Sequence, residues 1–252
     1  MKHIALLFVL FIGMNSWAQE NNLSPAVADK VNELIAVFQN NDKEEIANHI
    51  GYPLNRSYPI PEVNTAKELV VRFDQIFDKE LINAIAKSTL DDWSTVGWRG
   101  TMLKDGLLWM DDNGIIYRIN RDTPMEQKWR KSLIQQDRTR LHKSVQKYKE
   151  PYAVIDVEGE TWRIDNINDE VMRLVIWKKG VKMNEHPTLV LEGCLDLQGS
   201  MGTRVLEFKN KKTTEEITIL LDAQEIEALH GVSITITDKK GKEISKQGVA
   251  DN

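Results

Sequence analysis

The chain has 252 residues, 41% hydrophobic and 28% charged, with a formal net charge of -5 at pH 7. That length can bury one large core or two of ordinary domain size, and the acidic balance argues against a general nucleic-acid binder. Its one cysteine, Cys194, cannot close an internal disulfide, so stability must come from hydrophobic packing.

Lys2 and His3 precede an apolar run from Ile4 to Met14, and Ser16-Trp17-Ala18 follows it. This is the pattern of a secretory signal peptide over residues 1–18, with cleavage expected before Gln19. The run is too short to cross the ~30 Å hydrocarbon core of a bilayer. No cysteine follows it to take a lipid, and no comparable run occurs later, so no transmembrane anchor is expected after cleavage. The expected location is periplasmic or secreted.

Ser24 and Pro25 are an N-cap and a first-turn proline, and Val27, Val31, Leu34, Ile35 and Phe38 recur at helical spacing. Asp42 with Glu45, and Thr65 with Glu68, predict two further helix starts around a proline-marked loop at 51–61. Leu81, Ile82 and Ile85 extend the helical region to about Lys87. From Trp93 the period changes. Asp105-Gly106 and Asn113-Gly114 predict two tight hairpins. Their register pairs Leu103 with Leu108, Met102 with Trp109, Trp109 with Arg118 and Met110 with Tyr117. One face then holds Leu103, Leu108, Met110, Ile115, Tyr117 and Ile119, the natural core. The other holds Trp98, Gly100, Met102, Trp109, Ile116 and Arg118, an apolar face with a cation set beside indole rings. Something must cover that face, and Trp98, Met102, Trp109, Ile116 and Arg118 are the candidate partner-binding residues.

Helices followed by an antiparallel sheet, over roughly residues 24–120, resemble the cone-shaped fold of the nuclear transport factor 2-like superfamily by element order. The resemblance implies a pocket between sheet and helices, which in isomerase and dehydratase members carries an Asp or His with a Tyr. Tyr117 and Asp92 are the residues it would single out here; neither sits in a matching motif, so no catalytic role follows.

Thr123-Pro124 with Glu126 opens a connecting helix expected over 123–150. It is basic: Lys128, Arg130, Lys131, Arg138, Arg140, Lys143 and Lys147 form a candidate anion-binding set, with Asp137 the acid among them. The ordinary reading of such a run is a solvated face. After Pro151 seven short β-like runs, from Tyr152–Val157 to Val232–Thr237, predict an all-β sandwich or barrel, with a short helix over 222–231. The fold class is therefore α+β. Its parts are a signal peptide at 1–18, a cone-like domain at 19–122, a basic helix at 123–150 and an all-β domain at 151–252. The stretch "PTLVLEGCLDLQGSMGTRVLEF" resembles a pattern of exported bacterial proteins and implies location only.

Catalytic signatures do not survive inspection. Ser200 lacks the glycine two residues earlier that a nucleophile elbow needs. Cys194 alternates within an apolar strand, predicting a buried, inert thiol. His49, His142, His186 and His230 have no zinc spacing, and the acidic pairs Asp91-Asp92 and Asp111-Asp112 fit no calcium loop. No catalytic residue, metal or cofactor is therefore assigned. The sequence points to an exported non-catalytic binding protein, such as an envelope accessory, inhibitor or immunity-like factor. Its partner is an unidentified envelope or secreted macromolecule, or a second copy through the sheet face. The alternatives are an anionic polymer or membrane surface held by residues 128–149, and a small-pocket enzyme in the cone.

Overall fold

The computed structural model describes residues 23–198, 203–221 and 231–251. The signal peptide and its cleavage site, Ser200, His230 and nearly all of the helix expected over 222–231 lie outside them. The described residues form α-helices α1 (Pro25–Asn40), α2 (Lys43–Asn48), α3 (Ala66–Ile76), α4 (Lys79–Ala86) and α5 (Pro124–Thr139). They also form a four-stranded antiparallel sheet and a closed eight-stranded antiparallel barrel, so the class is mixed α+β. The helix starts follow the cap chemistry: Ser24, Asp42, Thr65 and Thr123 each accept a backbone N–H through the side chain, from Val27, Glu45, Glu68 and Glu126.

The chain folds as two compact units. One takes the residues up to Gly51 with Lys79–Asn120, the other Tyr52–Asp78 with Arg121–Asn252. The segment after Gly51 thus groups with α5 and the barrel, although it precedes the sheet in sequence. Glu126 shows why: its carboxylate, with no exposed surface, is gripped by Arg56 at 2.7 Å through Nε and 2.5 Å through Nη2.

In the first unit the strands are β1 (Trp93–Thr95), β2 (Thr101–Leu103), β3 (Leu108–Met110) and β4 (Ile116–Ile119), side by side in that order. Leu103 pairs with Leu108, Met102 with Trp109 and Trp109 with Arg118, as the turns predict. Met110, however, pairs with Ile116 and not with Tyr117. The second hairpin closes where Asp111 N–H donates to the Ile115 carbonyl at 3.0 Å, with Gly114 at φ +82, so its loop is three residues long and not two. A bulge at Tyr117 restores the register by Arg118. The consequence corrects the expected faces: Ile116 is wholly buried, while Tyr117 and Arg118 both point outward. Backbone bonds hold Ile116 further in, its N–H to the His49 carbonyl and its carbonyl to the Gly51 N–H, both at 2.8 Å.

In the second unit α5 stops at Thr139, and a 3-10 turn over Lys143–Val145 follows, so the helix expected to reach residue 150 is shorter. The break comes where the His142 N–H leaves the helical ladder and donates to the Met183 carbonyl at 2.8 Å. The barrel is a meander of β5 (Glu150–Val157), β6 (Glu160–Asn166), β7 (Met172–Trp177), β8 (Leu189–Gln198), β9 (Thr203–Lys209), β10 (Glu216–Leu221), β11 (Val232–Thr237) and β12 (Glu243–Asp251). Strand β12 closes onto β5 through Val249–Asp156 and Ala250–Ile155. Side chains such as Ile155, Trp162, Ile164, Leu174, Leu206, Phe208 and Ile219 fill the interior. Strand β12 is the one the sequence hides. Its residues on the phase of Ile234 and Ile155 are Ile244, Lys246, Gly248 and Ala250, a set with no apolar alternation. Gly248 is needed there, since a Cβ would stand 2.4 Å from Ile155 Cγ2.

Strand β7 is buried on both faces. Its outward Val175 and Trp177 pack with Ile134, Leu141, Val145 and Tyr148 of α5 and the segment after it.

Candidate functional site

The open face of the small sheet follows from the register. Met102, Trp109 and Arg118 lie in one lateral row across β2, β3 and β4, because directly paired residues share a face. Met102 and Trp109 are half-buried and Arg118 is exposed. Trp109 is partly sheltered by its own hairpin, where Gly106 at φ +83 leaves room for the indole; a Cβ there would stand 3.2 Å from Trp109 Nε1. Gly100 opens a close approach as well. The backbone that approaches is the hairpin's own Met110 carbonyl, 2.4 Å from where a Cβ would sit.

Between β1 and β2, the turn at Gly97–Arg99 presents Trp98, which is 70% exposed. The Tyr117 hydroxyl donates to the Arg99 carbonyl, tying that turn to the bulge, and burial raises the Tyr117 pKa against the lowering pull of Arg118 and Arg99. The cation beside an indole is Arg99, whose guanidinium lies 5.9 Å from the centre of the Trp98 ring. Arg118 is not buried against the tryptophans as expected; its Nε donates to Asn120 Oδ1 at 2.8 Å. Of the five expected partner-binding residues, Trp98, Met102, Trp109 and Arg118 remain available, and Ile116 belongs to the core.

The two residues that the cone resemblance singled out are engaged separately. Asp92 Oδ2 accepts from the Thr89 N–H at 2.9 Å, while the Tyr117 hydroxyl serves Arg99. Asp111 is likewise a turn residue, its Oδ1 accepting from the N–H groups of Asn113 and Ile115 at 2.9 Å each. In the second unit Asn55, Arg56, Tyr58, Ile60 and Glu62 line a recess of about 40 Å³. That is room for one or two waters, far below the ~300 Å³ at which small-molecule pockets begin.

The basic set divides. Arg130 donates to the Tyr58 carbonyl at 2.7 Å and to Glu150 at 3.1 Å, and Arg138 donates to the Tyr148 carbonyl at 2.8 Å with its guanidinium over the Tyr148 ring. Lys128, Lys131, Arg140, Lys143 and Lys147 are exposed. Cys194 is exposed too, contrary to the expected burial. Gly193 takes the inward phase of β8, where a Cβ would lie 2.0 Å from the Glu207 carbonyl oxygen. Cys194 shares the outward phase with Glu192 and Asp196, a polar alternation that was the available signal.

Sequence reasoning missed a buried charge cluster on the outer face of β6 and β7. Arg163, with no exposed side-chain surface, donates to both Asp137 oxygens at 3.0 and 2.6 Å and to Asp165 at 2.8 Å. Arg173 donates to the other Asp165 oxygen at 2.6 Å, and the Tyr148 hydroxyl donates to Asp137 at 2.6 Å. Burial alone would disfavour the Arg163 cation, but Asp165 and Asp137 outweigh it and raise its pKa. Burial, reinforced by Asp137, pushes the Tyr148 hydroxyl well above the usual phenol range. Asp137, the single acid among the cations of residues 128–149, was the trace of this cluster in the sequence.

No protein-family model and no curated protein matches the chain. A solved structure from Burkholderia vietnamiensis, provisionally described as a beta-lactamase, is similar over 41% of this chain and 92% of its own, at 12% identity and a TM-score of 0.31. Likeness at that level carries no argument about fold or activity.

Proposed function

We propose that the chain is an exported, non-catalytic binding protein that holds a macromolecular partner on the open face of its small sheet. The observation that carries this reading is Trp98, 70% exposed on the turn that the Tyr117 hydroxyl ties to the sheet, together with the half-buried or exposed row of Met102, Trp109 and Arg118. Tryptophan, tyrosine, methionine and arginine are the side chains enriched at interface cores, and the first two with arginine supply most binding hot spots. Export rests on the signal pattern of residues 1–18, which makes the partner an envelope or secreted macromolecule. Self-association through the same face is the competing occupant. We also read helices α1, α2 and α4 as the layer over the buried sheet face, the arrangement that the cone resemblance implies; the bridge between Ile50 and Ile116 supports it. The anionic-polymer reading has five exposed cations behind it, after Arg130 and Arg138 are discounted for their internal bonds. The enzyme reading is the weakest, because Tyr117 and Asp92 serve separate hydrogen bonds.

Capture from envelope extract tests the proposal, using mature protein and its Trp98→Ala and Arg118→Ala variants. A partner retained by the parent and lost by Trp98→Ala, with melting temperature unchanged, supports it. Equal retention by both folded variants, or loss of the retained species at 0.5 M salt only, overturns it in favour of the basic segment. Sedimentation of the free protein reads out self-association, and an intact mass beginning at Gln19 checks export.

A further inference from the structure

We propose that the segment after α5 and the loop between β7 and β8 together form a basic patch that docks on an anionic phospholipid surface. The two segments, residues 140–149 and 178–188, carry Arg140, Lys143, Lys147, Lys149, Lys178, Lys179 and Lys182 against the single acid Glu185, in a chain whose formal net charge is -5. Cations thus gather here against the overall balance. Lys149 is paired with Asp169 at 2.5 Å, whereas the other six are exposed and, among the described residues, form no ion pair. Glu185 is engaged too, its Oε1 accepting from the Lys182 N–H at 3.0 Å.

The fold brings the two segments side by side. The His142 N–H donates to the Met183 carbonyl at 2.8 Å, so Lys143 and Lys182 flank one backbone bond although they are far apart in sequence. The His142 and His186 rings meet at the same join, with centroids 5.1 Å apart. Leu141 and Val145 from one segment, and Val181 and Met183 from the other, pack in the cluster that buries Trp177, whose Nε1 donates to the Glu185 carbonyl at 3.0 Å. Apolar side chains hold the base, and the cations stay outside it.

Charge gives the class of partner, and side-chain type narrows it. Five of the six unpaired cations are lysines, compact point charges without a rigid fork, and Tyr148, the only Phe, Tyr or Trp in the two segments, is buried. Reading one ordered polymer chain calls for planar guanidinium forks and stacking rings. Lysines on a firm base suit phosphates that are many and interchangeable, as at a bilayer surface. The inference narrows the anionic reading of residues 128–149 to a defined patch and does not involve the sheet face.

The test is co-sedimentation of mature protein with vesicles of phosphatidylcholine alone and with about one-third phosphatidylglycerol. Parent, Lys143→Gln/Lys182→Gln and Lys239→Gln/Lys240→Gln proteins are compared; Lys239 and Lys240 are exposed on the β11–β12 turn and control for net charge. The expected result is binding to the phosphatidylglycerol vesicles only, lost at ~0.5 M salt. It should weaken about fivefold for each cation removed from the patch, hence about 25-fold in the first variant, and stay within about twofold in the control. Equal binding to both vesicles, no binding to either, or equal weakening in the control overturns the patch. Binding of long-chain polyphosphate without binding of the vesicles assigns it to a soluble polymer and overturns the membrane reading. Melting curves confirm that each variant folds, and because the assay contains no protein partner, its failure leaves the sheet-face reading where it stands.

Discussion

Two outward sheet faces meet opposite fates. On β6 and β7 the outward residues Arg163, Asp165, Arg173, Val175 and Trp177 are covered by α5 and the segment after it, and every charge there is paired. On the small sheet the outward residues Met102, Trp109, Tyr117 and Arg118, and Trp98 of the turn between β1 and β2, stay half-buried or exposed. Aromatic and cationic side chains occur in both, so composition alone does not separate architecture from recognition. Burial and ion pairing do: the covered charges are held by their counterions, whereas the open set stays at the surface.

The sharpest way to break this comparison is Arg163→Ala, which strips Asp137 and Asp165 of their buried cation. It should cost about 3–5 kcal/mol, as removing one partner of a buried pair does, measured by denaturant unfolding. A cost below about 1 kcal/mol would place the cluster among solvated surface pairs. On the other side of the comparison, Trp98→Ala should leave stability within about 0.5 kcal/mol and weaken partner binding by roughly 2 kcal/mol or more. A fall in melting temperature of the Arg163→Ala kind would mean that Trp98 is structural.

Tyr148→Phe sharpens the covered side. Loss of the hydroxyl bond to Asp137 should cost about 1 kcal/mol at neutral pH. Above pH ~10 an unfolded tyrosine releases its proton while the folded hydroxyl keeps it, so parent stability falls as pH rises, and this part of the slope should be missing in Tyr148→Phe. Identical slopes would show the hydroxyl to be solvated. The smallest effect belongs to Cys194→Ala, within about 0.5 kcal/mol for an exposed position. Native Cys194 should also react with a thiol reagent at the rate of an unfolded control, and protection from it would return the residue to the core.

Much was legible in the chain. Ser24, Asp42, Thr65 and Thr123 marked helix starts because a capping bond is made within a few residues of itself, with no distant partner required. The pairing of Leu103 with Leu108 was readable for the same reason, since a glycine turn fixes its neighbours. Seven of the barrel's eight strands announced themselves as short β-like runs, and Met102, Trp109 and Arg118 share one row of the small sheet as the turns predict.

What the sequence could not decide depends on partners far along the chain. A three-residue loop and one bulge exchanged Ile116 for Tyr117, because register is a property of two strands and not of one. Strand β12 escaped notice since Gly248 and Ala250 face an interior already filled by Ile155, a demand visible only when the barrel closes. The Arg56–Glu126 and Arg163–Asp137 pairs join residues 70 and 26 positions apart. Local sequence determined where elements begin and which way their periodicity runs. Tertiary structure alone decided which charges are buried, because a charge tolerates burial only where a distant chain segment brings its counterion.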